Sequence, residues 1–347
     1  MPELRKDPIV GRWIIIAMER ARRPGNFIDP MDHSLEDDEG NCVYCKSDLK
    51  PIYTFAKKGP KSNKNSAWDV SVLPYEGSTL TTKMPYERKS QGLYETISSV
   101  GEHEVVVETP EHIDSMGDLE PSQIKSVIET YALRMAALEN DAHLQCAFIY
   151  KNYGRTAGSR PIGHTRSHIL AIPVIPLHIK EELEGAKDYF GINRRCIYCD
   201  LIQQEQLARE RVILQTEDFI AIIPFAARSL FETWILPKRH HCDFAKGIKG
   251  STGDLAQMLK ILLQKFKTGL DDPGYNLLLQ TAPFRPKGAY TDQWQTMEED
   301  FHWHIELMPQ LTRVAGFEKG SGFYICSVPP ENMAEYLRGI EEISAKY

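Results

Sequence analysis

Two short stretches, "HTRSH" at residues 164–168 and "HWHIE" at 302–306, alternate imidazole, guanidinium or carboxylate groups with other side chains. In an extended strand successive side chains take opposite faces, so His164, Arg166 and His168 share one side, as do His302, His304 and Glu306. Two C-x-x-C pairs, Cys42/Cys45 and Cys196/Cys199, add thiolate donors, and a histidine follows a proline in "EVVVETPEH" (His112) and in "ETWILPKRH" (His240). Cys42, Cys45, His112 and His164 form one Cys₂His₂ set, and Cys196, Cys199, His240 and His302 a second. These are the ligand types of tetrahedral zinc, and four protein ligands leave no open position, so two structural zincs are expected. A lone C-x-x-C reads equally well as two buried thiols; its duplication, with both histidines in the same order, favours metal.

The elements that must position these groups also repeat. After "CVYC" and "CIYC" come apolar runs closing on Pro74 and Pro224, then the runs ending at His112 and His240. Next, Ile124, Val127, Ile128, Tyr131, Met135 and Leu138 recur at helical spacing, as do Leu255, Met258, Leu259, Leu262 and Phe266. A strand carrying Asn152 or Asn276 follows in each copy, and then the histidine strand. The chain reads as two copies of one α+β unit, 1–190 and 191–347, joined near "KDYFGINRR".

Composition narrows the function. The 347 residues suffice for about two domains, and 42% hydrophobic content describes an ordinary globular protein. A net charge of −7 argues against nonspecific nucleic-acid binding, which needs clustered basic surface, while local arginines can still hold small anions. No run of about 18 apolar residues suggests a membrane span. Seven cysteines, four of them in C-x-x-C pairs, suit metal ligation in a reducing cytoplasm better than a disulfide framework. Cys146, Cys242 and Cys326 read as core or surface thiols.

The opening "LRKDPIVGRWIIIAMERARRP", the C-x-x-C, the "N-x-G" followed by "AG", the histidine strand running into "ILAIPVIP" and the C-terminal "HWHIELMPQLTRVAGFEKGSGFYI" together resemble the galactose-1-phosphate uridylyltransferase family of the histidine-triad superfamily. The resemblance implies two tandem histidine-triad-like halves, each an antiparallel sheet with packed helices, and a homodimer. It also implies transfer of a nucleoside monophosphate between a nucleotide anhydride, such as a nucleotide sugar, and a phosphate or sugar-phosphate acceptor. Relatives acting on adenylyl compounds keep the choice of base open. By the same resemblance, Arg20, Arg22 and Arg23 approach the nucleotide phosphates, Asn152 and Ser159 hydrogen-bond phosphate oxygens, and "GFEKGSG" reaches toward the partner's sugar-phosphate pocket.

In the family a histidine of an H-x-H-x-Q strand attacks the α-phosphorus. Here His164 matches the first, zinc-binding histidine, Arg166 stands at the nucleophile position and His168 replaces the glutamine. Guanidinium can clamp a phosphate but cannot attack it. Tyr75 also stands where the family has asparagine, so the first-half site is remodelled. Any covalent adduct is therefore expected on His304 or His168, with Arg166 supplying charge. His304 is preferred, because zinc at His302 would rigidify its strand. The rival readings are direct displacement or hydrolysis without an intermediate, and a catalytically silent nucleotide-binding protein.

Overall fold

The protein is described from a computed structural model, covering residues 2–16, 42–45, 50–56, 68–82, 84–159, 163–285 and 294–341. Arg20, Arg22 and Arg23 lie outside the described residues.

Among these residues the first half carries β1 (Glu3–Lys6), β2 (Trp13–Ile16), β3 (Tyr53–Phe55), β4 (Val70–Pro74), β5 (Arg88–Gln91), β6 (Tyr94–Ser98), β7 (Glu102–Val107), β8 (Cys146–Tyr153) and β9 (Arg166–Ile172). The second half carries β10 (Val212–Gln215), β11 (Phe219–Ile222), β12 (Thr233–Pro237), β13 (Tyr275–Gln280) and β14 (His304–Pro309). The helices are α1 (Pro121–Leu138), α2 (Leu177–Asn193), α3 (Ile197–Ala208), α4 (Phe244–Gly247), α5 (Thr252–Gly269), α6 (Met297–Asp300), α7 (Gly316–Ser321) and α8 (Pro330–Gly339). This is the α+β composition expected.

Each half contributes five antiparallel strands, and the two sets join edge to edge. The resulting ten-stranded sheet has the order β10-β11-β12-β14-β13-β8-β9-β7-β4-β3. The seam is the β8–β13 pair, where Asn152 lies opposite Asn276. Reading outward from it, β8-β9-β7-β4-β3 mirrors β13-β14-β12-β11-β10, so the sequence repeat is a repeat of strand order. The expected junction at 190/191 falls in the last turn of α2, and a separate sheet, β2-β1-β6-β5, belongs to the first half alone.

The helical spacing of the sequence becomes packing on one face of the large sheet. Ile124, Val127, Ile128, Tyr131, Met135 and Leu138 of α1 and Leu255, Met258, Leu259, Leu262 and Phe266 of α5 are all buried, in one core with Ile149, Ile169, Leu277, Leu279, Ile305 and Leu307. α1 and α5 lie against each other across the seam. Asp254 in the first turn of α5 and Lys267 in its last complement the helix dipole.

The opposite face carries Arg166 and His168 in the first half and His304 and Glu306 in the second, and is covered unequally. Over the second half, Ile179, Leu183 and Ala186 of α2 and Tyr198 and Ile202 of α3 pack on Ile220, Ile222 and Leu236. Over the first half, near Arg166, a smaller cluster joins Leu73, Val105 and Val107 to Tyr44, Trp68 and Tyr75.

Candidate functional site

Both Cys₂His₂ sets assemble, each with its ligand atoms within 4.8 Å of one another. Cys42 and Cys45 sit in a tight turn closed by Cys45 N–H to the Cys42 carbonyl (3.3 Å). Cys196 is the N-cap of α3 and Cys199 lies in its first turn, so their side chains share one side of the helix. The sulfur-to-Nδ1 distances are 3.3 to 3.5 Å in the first set and 3.4 to 4.0 Å in the second. Tetrahedral bonds of zinc to sulfur and nitrogen put such atoms about 3.6 Å apart. The Nε2–H groups of His164, His240 and His302 donate to the carbonyls of Thr109 (2.8 Å), Glu298 (2.9 Å) and Pro237 (2.8 Å). That bond fixes the tautomer whose Nδ1 lone pair faces the thiols, as metal-ligating histidines require. The residues fit zinc in both halves.

His178, Glu182 and Glu306 also converge within 4.8 Å, but there the Arg228 guanidinium is seated among them. It lies 2.8 Å from Glu306 and 3.3 Å from His178 Nε2, and bonds Glu232 at 2.7 Å.

The histidine strands enter the sheet one pleat later than the sequence suggests. β9 begins at Arg166 and β14 at His304, leaving His164 and His302 at the entrances with their rings turned to the cysteines. Arg166 and His168 share the outer face. The Arg166 guanidinium donates to the His164 carbonyl (3.1 Å) and to Ser159 Oγ (3.3 Å), with its carbon 5.7 Å from the Tyr44 ring centroid. Ser159 is thus brought to Arg166. Asn152 instead accepts from Asn276 Nδ2 (2.7 Å) at the seam, two residues beyond Tyr150 on the same face.

His168 lies opposite Tyr150 on one side and Val105 on the other. The Tyr150 ring stacks on it at 5.0 Å and 11°, and Tyr75 meets it edge-on at 5.5 Å. His168 Nδ1 is 3.1 Å from Nε2 of His103, a residue of β7 that the sequence reading passed over. Burial, reinforced by the neighbouring His103, Arg166 and Lys151, pushes the His168 imidazole down to about 3, so it is neutral throughout the physiological range. Its Nε2 makes no hydrogen bond among the described residues.

His304 is differently placed. Its Nδ1–H donates to the His302 carbonyl (3.1 Å), and its Nε2 is buried without a hydrogen-bond partner. Tyr198 (5.3 Å), Trp234 (5.4 Å) and Phe301 (6.5 Å) surround the ring, which is 1% exposed. Such a ring has a nucleophile's orientation without a route to it. The sequence favours His304 because zinc at His302 would rigidify its strand; here Tyr198 of α3 lies over the ring, and Glu182 of α2 lies beside Glu306, the next residue on that face.

Behind β9, on the helix-covered face, Lys151 Nζ bonds Glu108 (2.8 Å), Thr165 Oγ1 (2.7 Å) and the Arg166 carbonyl (3.0 Å). Tyr131 Oη joins the network through Ser167 Oγ (2.5 Å). Alternation alone assigned these polar residues no partner. The register now pairs them across strands far apart in sequence.

Two family models match the chain: the N-terminal domain of galactose-1-phosphate uridyl transferase over residues 1–176 and its C-terminal domain over residues 182–325. The chain belongs to that family. Among curated relatives, ADP-glucose phosphorylase of Arabidopsis thaliana is 31% identical over 98% of this chain and 93% of its own. Galactose-1-phosphate uridylyltransferase of Thermotoga maritima is 26% identical over 98% and 99%. Among solved structures, a uridylyltransferase superimposes with TM-score 0.77 at 27% identity, covering 97% of each chain. ADP-glucose phosphorylase of Arabidopsis thaliana with bound ADP-glucose gives 0.72 at 29%, covering 99% and 100%. Like this family, the protein is a nucleotidyltransferase enzyme. Among the described residues no helix is long and apolar enough to cross a membrane.

Proposed function

We propose that the protein moves a nucleoside monophosphate from a nucleoside-diphosphate sugar to a phosphate or sugar-phosphate acceptor, with His168 as nucleophile and Arg166 as phosphate clamp. The observation that carries this reading is the pairing on one face of β9. There a neutral imidazole with an unbonded Nε2 stands two residues, one pleat or about 7 Å of strand rise, from Arg166 on the same face. Nε2 attacks the α-phosphorus and the sugar phosphate leaves with the bond electrons. The acceptor oxygen then attacks the same phosphorus, and the nitrogen recovers its pair. Arg166, backed by Ser159, stabilises charge growing on the phosphoryl oxygens. His304, closed off by α2 and α3, stays outside the reaction.

Two zincs, one on each Cys₂His₂ set, hold the entrances of β9 and β14, and the free cysteines fit a cytoplasmic enzyme. The copies are taken as 1–190 and 191–347. A homodimer is supported by the exposed apolar side chains of Val314, Phe317, Phe323, Tyr324 and Ile325, too many in one segment for a monomer's surface.

Mixing the protein with ADP-glucose, UDP-glucose or adenylylsulfate and mapping an acid-labile adduct by mass spectrometry tests the reading. The adduct is expected on His168, absent from His168→Gly, with turnover of that variant partly restored by added imidazole. Full turnover in His168→Gly, or turnover with no adduct at all, replaces it with direct displacement.

A further inference from the structure

We propose that His103 is a positioning residue for the nucleotidyl step: its Nε2 accepts the hydrogen bond of His168 Nδ1–H and so holds His168 in the tautomer whose Nε2 lone pair can attack phosphorus. The inference rests on the reading of His168 as nucleophile.

Four hydrogen bonds carry it. In the second copy, His304 Nδ1 donates to the carbonyl two residues upstream, that of His302, at 3.1 Å. In the first copy the corresponding carbonyl, that of His164, accepts instead from the Arg166 guanidinium at 3.1 Å. For His168 the carbonyl two residues upstream is that of Arg166, and Lys151 Nζ holds it from behind at 3.0 Å. The backbone acceptor that orients a histidine in such a strand is therefore engaged elsewhere, and His168 Nδ1 meets His103 Nε2 at 3.1 Å.

The two rings are fixed from several sides. The Tyr75 ring lies 4.4 Å from that of His103 and 5.5 Å from that of His168, and Tyr150 stacks on His168. Tyr150 Oη is 3.4 Å from His103 Nε2. Two neutral imidazoles facing each other nitrogen to nitrogen share one hydrogen, and the ring that carries it bears its lone pair on the far nitrogen. Arg166, on the same face, opposes protonation of His168. As the bond from Nε2 to phosphorus forms, positive charge spreads to Nδ1–H, where an imidazole acceptor stabilises it. When the acceptor oxygen takes the nucleotide the charge withdraws, and the hydrogen stays between the rings.

The test compares full-length, zinc-loaded His103→Ala and His103→Gln with wild type in single-turnover adduct formation from ADP-glucose and UDP-glucose. His103→Ala is expected to slow adduct formation on the order of 100-fold with KM for the nucleotide sugar almost unchanged. His103→Gln, whose amide oxygen can accept the same hydrogen, is expected to recover most of that loss, and the residual adduct is to map to His168. An Ala variant that forms the His168 adduct at the wild-type rate overturns the role of His103 and leaves that of His168 standing. So does a Gln variant that folds but is as slow as Ala. No adduct on His168 in the wild type removes both.

Discussion

In the proposed reaction Arg166 clamps the phosphoryl oxygens and His168 attacks phosphorus, two roles placed on one face of β9. Arg166→Met is expected to lower kcat by about 10²- to 10³-fold, the usual cost of one preorganised charge on a developing oxyanion. Lysine at 166 should recover little, since it lacks the planar fork. Arg166→His should not yield efficient UDP-glucose exchange, because Tyr75, His103 and His168 form an aromatic cluster beside it and residues of one site act as a unit. Robust exchange by that single variant would mean the pocket is not remodelled. Glu182 offers a pH test. Burial, with the Glu306 charge adding to it, raises its carboxyl to about 8. The fold holds that proton through a range in which the unfolded chain releases it. Stability from this group is therefore full below an unfolded value near 4.5 and is lost as pH rises through about 8. Glu182→Gln should stabilise the protein by on the order of 4 kcal/mol near pH 8, since each pH unit between the unfolded and folded values is worth about 1.4 kcal/mol. Near pH 4.5 the same change should do almost nothing, read from urea midpoints at the two pH values.

At the scale of elements, β9 is held from behind by a buried ion pair and from its entrance by the first Cys₂His₂ set. Lys151→Met removes the cation and leaves Glu108 charged in the core, an expected loss of about 3–5 kcal/mol, and it also frees the Arg166 carbonyl. Adding Glu108→Leu should recover much of the stability without restoring kcat, which separates the fold from the setting of the strand. Cys196→Ser, at the site remote from His168, should halve the zinc found by elemental analysis and lower the melting temperature more than it lowers adduct formation. A protein that binds no zinc would remove that account of both entrances. At the turn leaving β8, Gly154 has φ +75°, and a Cβ there would come within 2.8 Å of Gly274 Cα. Alanine at 154 should loosen the loop that carries Ser159.

At the scale of the whole molecule, the repeat makes one sheet. Because β8 pairs with β13 and α1 packs on α5 across the seam, heating should give one cooperative transition, and two separate ones would show independent halves. Sedimentation should give a dimer, and replacing Phe317 and Phe323 by serine should shift it toward monomer.

The sequence alone determined the duplication, the two ligand sets and the helices with their buried faces, because each is written in residue type and local period. Strand parity also placed Arg166 and His168 on one face. Parity names a face, however, and says nothing of what covers it. Only the tertiary structure decided that α2 and α3 close over His304, and that His103, 65 residues from His168, faces its Nδ1. Lys151 and Glu108, 43 residues apart, likewise pair only once the register is set. Those contacts depend on which strand neighbours which, a choice made by packing across the seam rather than within any segment.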